Sequence, residues 1–194
     1  RQKSERIKQI GFSLEQAEGQ INLVDNKLLL NIVEPSLSRS LVSECMIIMG
    51  SIISNYAVKK DIPLPYRSQA GISFSKNNLK CDSNLLAIRN SAIKQQLIKA
   101  IISTKPLPHF SLGLPSYVQV TSPIRRYLDL VVHRQILGSL HKKLIYTSDE
   151  ISEIIKDINK PLKEAYDIMN EEKFRVHALW FLKHYKSVWK AYFL

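Results

Sequence analysis

Apolar residues change rhythm several times along this chain, and each rhythm predicts an element. Residues 1–9 are polar with helical spacing and close near Gly11, as the end of a helix would. Ile21–Val24 and Leu28–Val33 flank Asp25-Asn26-Lys27, and two short apolar runs around an Asp-Asn turn predict a β-hairpin. From Ser36 to Lys60 the positions Leu41, Val42, Cys45, Met46, Met49, Ile52, Ile53 and Tyr56 predict a long, largely buried helix. Ile62-Pro63-Leu64-Pro65 must be extended, because each proline biases its predecessor away from helix. A second helix is expected over Leu85–Ser103, with Pro106 and Pro108 opening an extended run to Val120. A third opens at Thr121-Ser122-Pro123 and runs to about Lys142. A fourth starts at Thr147-Ser-Asp-Glu150, a capping-box pattern, and stops near Pro161. A fifth continues to about Tyr185, and Ser187–Leu194 alternates as a strand does. The fold class expected is α+β, mostly helical, with a short hairpin and several long helices.

Composition narrows the class. The 194 residues suffice for one domain, or at most two small ones. With 45% apolar and 23% charged residues the chain can bury a core, which excludes a disordered basic tail. No uninterrupted apolar run approaches the roughly 18 residues that read as a membrane span. Two cysteines make neither a disulfide framework nor a zinc site, and a reducing compartment is the default. The start at Arg1 and the apolar end at Tyr192-Phe193-Leu194 suggest a piece of a longer protein.

The net charge of +11 has an address. Residues 1–58 carry six basic and six acidic side chains, and residues 144–194 carry eight of each. Residues 59–143 carry fourteen basic residues against Asp61, Asp82 and Asp129. A balanced chain with one basic segment points to a polyanion, and a merely solvated basic surface is the plainer reading.

Within that segment, Thr121-Ser-Pro-Ile-Arg-Arg-Tyr-Leu-Asp129 concentrates the chemistry. Ser122 can cap a helix and Pro123 can occupy its first position. Arg125 and Arg126 would then sit among free backbone N–H groups at the positive dipole end. A phosphate held by guanidinium groups would offset that cost. The plainer reading is an Arg125–Asp129 bridge one turn apart, and both can hold, with Asp129 orienting Arg125. His133 shares that face; a helix-surface hydrogen bond is favoured for it over a general-base role. No Gly-x-Ser-x-Gly nucleophile and no His-Glu-x-x-His zinc motif exists, and the histidines at 109, 133, 141, 177 and 184 lack ligand spacing.

Aromatic residues interleave with the basic ones: Tyr66 beside Arg67, then Phe74, His109-Phe110, Tyr117 and Tyr127. Bases can stack on such rings while neighbouring cations hold phosphates. Phe110 and Tyr127 are expected in the core, and Tyr66 and Tyr117, in extended segments, at the surface. Lys76 and Lys80 are expected to add to phosphate binding.

His109-Phe-Ser-Leu-Gly-Leu114, followed by Tyr117-Val-Gln-Val-Thr-Ser-Pro-Ile-Arg-Arg-Tyr-Leu-Asp-Leu130, resembles the signature of the ribonuclease II family catalytic (RNB) domain. Ser38-Arg-Ser-Leu-Val-Ser-Glu-Cys-Met46 and Ile62-Pro-Leu-Pro-Tyr-Arg-Ser-Gln69 are similar to stretches upstream of it, in the same order and spacing. The Ile-Pro-Leu-Pro-Tyr-Arg form, with Gly50, resembles the cyanobacterial and plastid branch. The resemblance covers most of the chain and implies a processive, hydrolytic exoribonuclease. Such an enzyme takes single-stranded RNA from its 3′ end and releases nucleoside 5′-monophosphates. It implies Arg125 as the arginine at the scissile phosphate and Glu172, or else Glu171, as a glutamate holding the terminal nucleotide. Arg126, Ser122, Thr121, Tyr117, Tyr66, Arg67 and His109 are the expected RNA-binding residues.

The same resemblance implies magnesium ions held by clustered aspartates. The aspartates here, at 25, 61, 82, 129, 149, 157 and 167, are scattered singly, so the Mg2+ ligands are expected outside this chain. Residues 1–186 are expected to form the C-terminal part of the catalytic domain, and 187–194 the start of an S1-like RNA-binding domain. The fragment alone is expected to be inactive. A catalytically inactive RNA-binding relative is the alternative. The parent is expected to be a monomer with no membrane partner, in the cytoplasm or, for a plant protein, the plastid stroma.

Overall fold

The structure is a computed structural model, and it describes residues 2–10, 17–25, 27–72, 86–143 and 145–188. The expectations for Gly11, Phe74, Lys76 and Lys80, and for residues 189–194, lie outside the described residues. The polar N-terminal segment forms α1 (Gln2–Ile10). Arg6 ties it down, donating to Glu44 at 2.5 Å and to the carbonyl of Leu112 at 2.8 Å. The hairpin forms as the Asp-Asn turn predicts. β1 (Glu18–Val24) pairs antiparallel with β2 (Lys27–Val33), Ile21 opposite Leu30 and Val24 opposite Lys27. Asp25 takes the positive φ, 48°, that such a two-residue turn requires.

α2 (Leu37–Lys59) starts where the sequence places it, with Ser36 Oγ accepting from Arg39 N at 3.3 Å. Its burial differs from the expectation. Only Gly50, Ser54 and Ala57, one face at helical spacing, are buried, while Leu37, Leu41, Val42, Met49 and Ile52 are exposed. The helix carries apolar residues on every side. α1 reaches one side through the Arg6–Glu44 pair, and the buried face packs on the 116–118 segment. There Ser54 Oγ donates to Ser116 Oγ at 2.6 Å in a buried pair. By length and composition α2 is also apolar enough to cross a bilayer.

The proline-bracketed stretch runs extended into the core through Ile62 and Leu64. It feeds β3 (Tyr66–Ser68), which pairs antiparallel with β4 (Ile101–Ser103), Arg67 opposite Ile102. The helix expected over Leu85–Ser103 is therefore shorter. α3 spans Leu86–Gln96, and the β-branched pair Ile101-Ile102 joins the sheet instead.

α4 (Tyr127–Leu140) joins two core clusters. Val132 packs with Ala57, Ile62, Leu64, Tyr66, Val118 and Val120, and its neighbour Val131 packs with Ile151 and Ile155. Gln135, fully buried beside them, satisfies both ends of its amide. It donates to the carbonyls of Pro63 (3.1 Å) and Tyr146 (2.8 Å) and accepts from the amides of Ile145 (3.0 Å) and Tyr146 (2.8 Å).

The capping box at Thr147 and Glu150 is present, and α5 (Ser148–Lys183) follows it. It does not stop at Pro161; the fourth and fifth predicted helices are one helix of 36 residues, about 54 Å long. Residues 161–175 are exposed, so water can satisfy the backbone groups that the proline frees. Ser187 and Val188 are not in a strand.

Candidate nucleic-acid interface

β3 organises the first half of the site. Arg67 N donates to the carbonyl of Tyr117 at 2.9 Å, and Gln69 pairs with the His109 segment. The Gln69 side chain then clamps two more strands of chain, donating to Ile98 O at 2.8 Å and accepting from Ser111 N at 2.9 Å. Gly113, at φ 61°, turns the chain so that His109 N reaches Leu114 O at 2.9 Å. The result sets the His109 and Tyr117 rings edge to face, 5.8 Å apart.

Electrostatics follow from this packing. Burial first, and the nearby Arg67 guanidinium second, press the His109 pKa from 6.5 down to about 4. His109 is thus a neutral ring near pH 7. Burial raises the Tyr117 pKa, opposed by Arg126 and Arg67. Arg67 also donates to Gln119 Oε1 at 3.3 Å. Tyr117 lies against α2, where a Cβ on Gly50 would overlap both its ring and the Val118 carbonyl.

The ring expectations are corrected at two positions. Tyr66 is 2% exposed, a core residue with no face for a base, because β3 carries it into the interior. Burial, with Asp61 adding to it, pushes its pKa up to about 12. Tyr127 is exposed rather than in the core, since it opens α4 on the solvent side.

The arginine motif differs from its expected helix start. Ser122–Arg126 form turns, with the amides of Arg125 and Arg126 both donating to Ser122 O, at 3.3 and 3.0 Å. α4 begins only at Tyr127, with Arg126 at the cap position in extended conformation. Ser122 therefore is not the cap and Pro123 is not the first helical residue. The cause is Asp129, 1% exposed in the first turn of α4. Its Oδ2 accepts from Ser122 N (2.9 Å) and from Arg126 Nε (3.0 Å) and Nη2 (2.7 Å). Arg126 also reaches Thr121 Oγ1 at 3.4 Å. The expected Arg125–Asp129 bridge does not form; three residues, not four, separate the partners. Arg125 is exposed, and among the described residues its guanidinium makes no hydrogen bond or ion pair. His133 Nε2 bonds the carbonyl of Val120 at 2.7 Å, which anchors the segment leading into the motif.

Arg67, His109, Tyr117, Thr121, Ser122 and Arg126 thus belong to one cluster, and Arg125 projects from its edge. Glu172 does not join it. Glu172 lies exposed on α5, held below the usual carboxylate range by Arg175, which donates to it at 2.8 and 2.6 Å. Among the described residues neither Glu171 nor Glu172 bonds the arginine motif. Asp129 is the residue that sequence reasoning assigned to the wrong arginine; the Arg126-x-x-Asp129 spacing was the available signal. Among the described residues no group of three or more His, Cys, Asp or Glu could hold a metal ion. The described residues therefore do not make up a magnesium site.

The RNB domain model matches residues 1–142. An uncharacterised ribonuclease of Synechocystis is 31% identical over 177 residues, covering 88% of this chain and 26% of that protein. The chloroplastic/mitochondrial ribonuclease II of Arabidopsis thaliana is 32% identical over 158 residues, covering 77% of this chain and 19% of that protein. Among solved structures, an active-site mutant of the Dss1 exoribonuclease of Candida glabrata superposes with a TM-score of 0.76 at 24% identity, over 95% of this chain and 25% of that one. Mycoplasma genitalium RNase R, in complex with ribose-methylated single-stranded RNA, gives 0.69 at 19% identity, over 90% of this chain and 34% of that one. The chain spans about a fifth to a quarter of the length of the curated relatives it matches. On the extent of these matches, the chain belongs to the RNB domain family, among relatives named as ribonucleases of cyanobacterial and organellar origin.

Proposed function

We propose that the protein carrying this chain is a 3′-to-5′ hydrolytic exoribonuclease that degrades single-stranded RNA to nucleoside 5′-monophosphates. The observation that carries the reading is Arg125, whose guanidinium has no partner among the described residues and projects from a turn whose geometry Asp129 fixes. A guanidinium so placed can pair two phosphate oxygens and offset the charge that grows on them during hydrolysis. Arg67 adds positive potential around Tyr117, Arg126 being compensated by Asp129, and the exposed or half-exposed members of the cluster can line an RNA path. One role expected above is not carried forward, since Tyr66 is buried; Glu172, or else Glu171, stays in the proposal as the glutamate at the terminal nucleotide, on the exposed stretch of α5 where Glu172 pairs with Arg175. In this proposal residues 1–186 are the later part of the catalytic domain, and divalent ions are held by residues outside this chain.

The test is to incubate the full-length protein with a 5′-labelled single-stranded oligoribonucleotide and magnesium. The reading expects a ladder shortening from the 3′ end, with nucleoside 5′-monophosphates as released product. Binding without shortening would assign the chain to a catalytically inactive RNA-binding relative. Internal cuts would contradict the exonucleolytic assignment.

A further inference from the structure

We infer that Asp129 is a positioning residue that gives the two adjacent arginines different tasks: it cancels and immobilises Arg126, and it aims Arg125. The inference rests on the phosphate reading of Arg125 above and goes beyond it.

Two neighbouring arginines on a basic surface would ordinarily be equivalent phosphate ligands. Here they are not. Arg126 turns back and gives Nε and Nη2 to a single carboxylate oxygen, at 3.0 and 2.7 Å, and Nη2 also reaches Thr121 Oγ1 at 3.4 Å. Asp129 is 1% exposed at its side chain and Arg126 27%, so the pair is shielded from salt on the carboxylate side. A charge so compensated releases few counterions when RNA binds. The same Oδ2 takes the Ser122 amide at 2.9 Å, seven residues earlier in the chain. That third bond closes the Ser122–Arg126 turn onto the first turn of α4, and Arg125 lies inside the closed loop. The loop therefore fixes the backbone from which Arg125 projects, and a fixed attachment point favours a group acting on a reacting phosphate. The other carboxylate oxygen, Oδ1, is buried and has no partner among the described residues, so the anchoring runs through Oδ2.

The experiment compares Arg125→Gln, Arg126→Gln with Asp129→Ala as a double variant that also removes the acceptor for the Ser122 amide, and Asp129→Asn alone, in the full-length protein. The readouts are the salt dependence of binding to a single-stranded oligoribonucleotide, kcat and KM, and hydrogen exchange at the Ser122 amide. Arg125→Gln is expected to lower the slope of log affinity against log salt by about 0.7. The double variant removes the pair without changing net charge. It is expected to leave the slope unchanged, to lower kcat roughly ten- to a hundredfold with KM nearly constant, and to speed Ser122 exchange. Asp129→Asn alone frees a charged Arg126 and is expected to steepen the slope by about 0.7. A slope lowered by the double variant as much as by Arg125→Gln would make Arg126 a phosphate ligand and overturn the inference. Unchanged Ser122 exchange would overturn it as well, whatever the RNA result. If Arg125→Gln alone leaves slope and turnover untouched, the phosphate reading of Arg125 fails instead.

Discussion

The carboxylate of Asp129 grips the guanidinium of Arg126 through one oxygen, 3.0 Å from Nε and 2.7 Å from Nη2, and makes no bond to Arg125. Removing one partner of a pair with a buried member strands a charge, and the cost exceeds that of an exposed bridge. Because Arg126 is itself partly exposed, a discounted cost of about 2 kcal/mol is expected for Arg126→Ala. Arg125→Ala should change stability by less than about 0.5 kcal/mol. Urea denaturation of both variants checks the contrast, and equal losses would contradict it.

Gln135 holds three segments with one side chain. Gln135→Leu keeps the volume but orphans the backbone groups of Pro63, Ile145 and Tyr146. A loss of roughly 3 kcal/mol is expected from unpaired buried groups. The denaturation midpoint reads it, and a loss below about 1 kcal/mol would show that the 145–146 loop finds water instead.

Gly50 has no room for a side chain. A Cβ there would meet the Tyr117 ring and the Val118 carbonyl, and the carbonyl is backbone that cannot swing aside. Gly50→Ala should cost about 2 kcal/mol by overpacking and displace Tyr117 from His109. Tyr117 fluorescence and near-ultraviolet dichroism follow the ring, and unperturbed signals would refute the close approach.

His109 makes stability depend on pH. The folded ring stays neutral down to about pH 4, whereas the unfolded ring takes its proton near 6.5. Protons therefore favour the unfolded chain between those values. The contribution is complete above about pH 7 and falls as pH drops toward 4, by roughly 1.4 kcal/mol per pH unit inside the window. His109→Gln should flatten this dependence. Stability curves of the two proteins that stay parallel from pH 7 to about 4.5 would count against the buried neutral ring.

Local signals were legible in the sequence and long-range ones were not. The hairpin at Asp25, the start of α2 near Ser36 and the Thr147–Glu150 capping box depend on neighbours within a few residues, and all three form. The start of α4 is decided by Asp129 reaching back to Ser122 N, so the Ser-Pro pattern pointed to the wrong residue. Pro161 is harmless to α5 because that turn faces water, a fact periodicity does not carry. Leu41 and Ile52 sit at helical spacing, but spacing cannot tell which face of α2 finds a partner. In the candidate site, the basic and aromatic residues were visible as a cluster in sequence. Which arginine is free was not, since it depends on a choice between two adjacent side chains for one carboxylate.

The most direct measurement is turnover and RNA affinity of Arg125→Ala in the full-length protein, with a single-stranded oligoribonucleotide. The account predicts a fall in kcat of roughly a hundred- to a thousandfold, the scale for losing a charge-stabilising donor, with affinity lowered far less. An affinity that collapses while bound RNA still turns over at the normal rate would make Arg125 a mere binding residue and contradict the account.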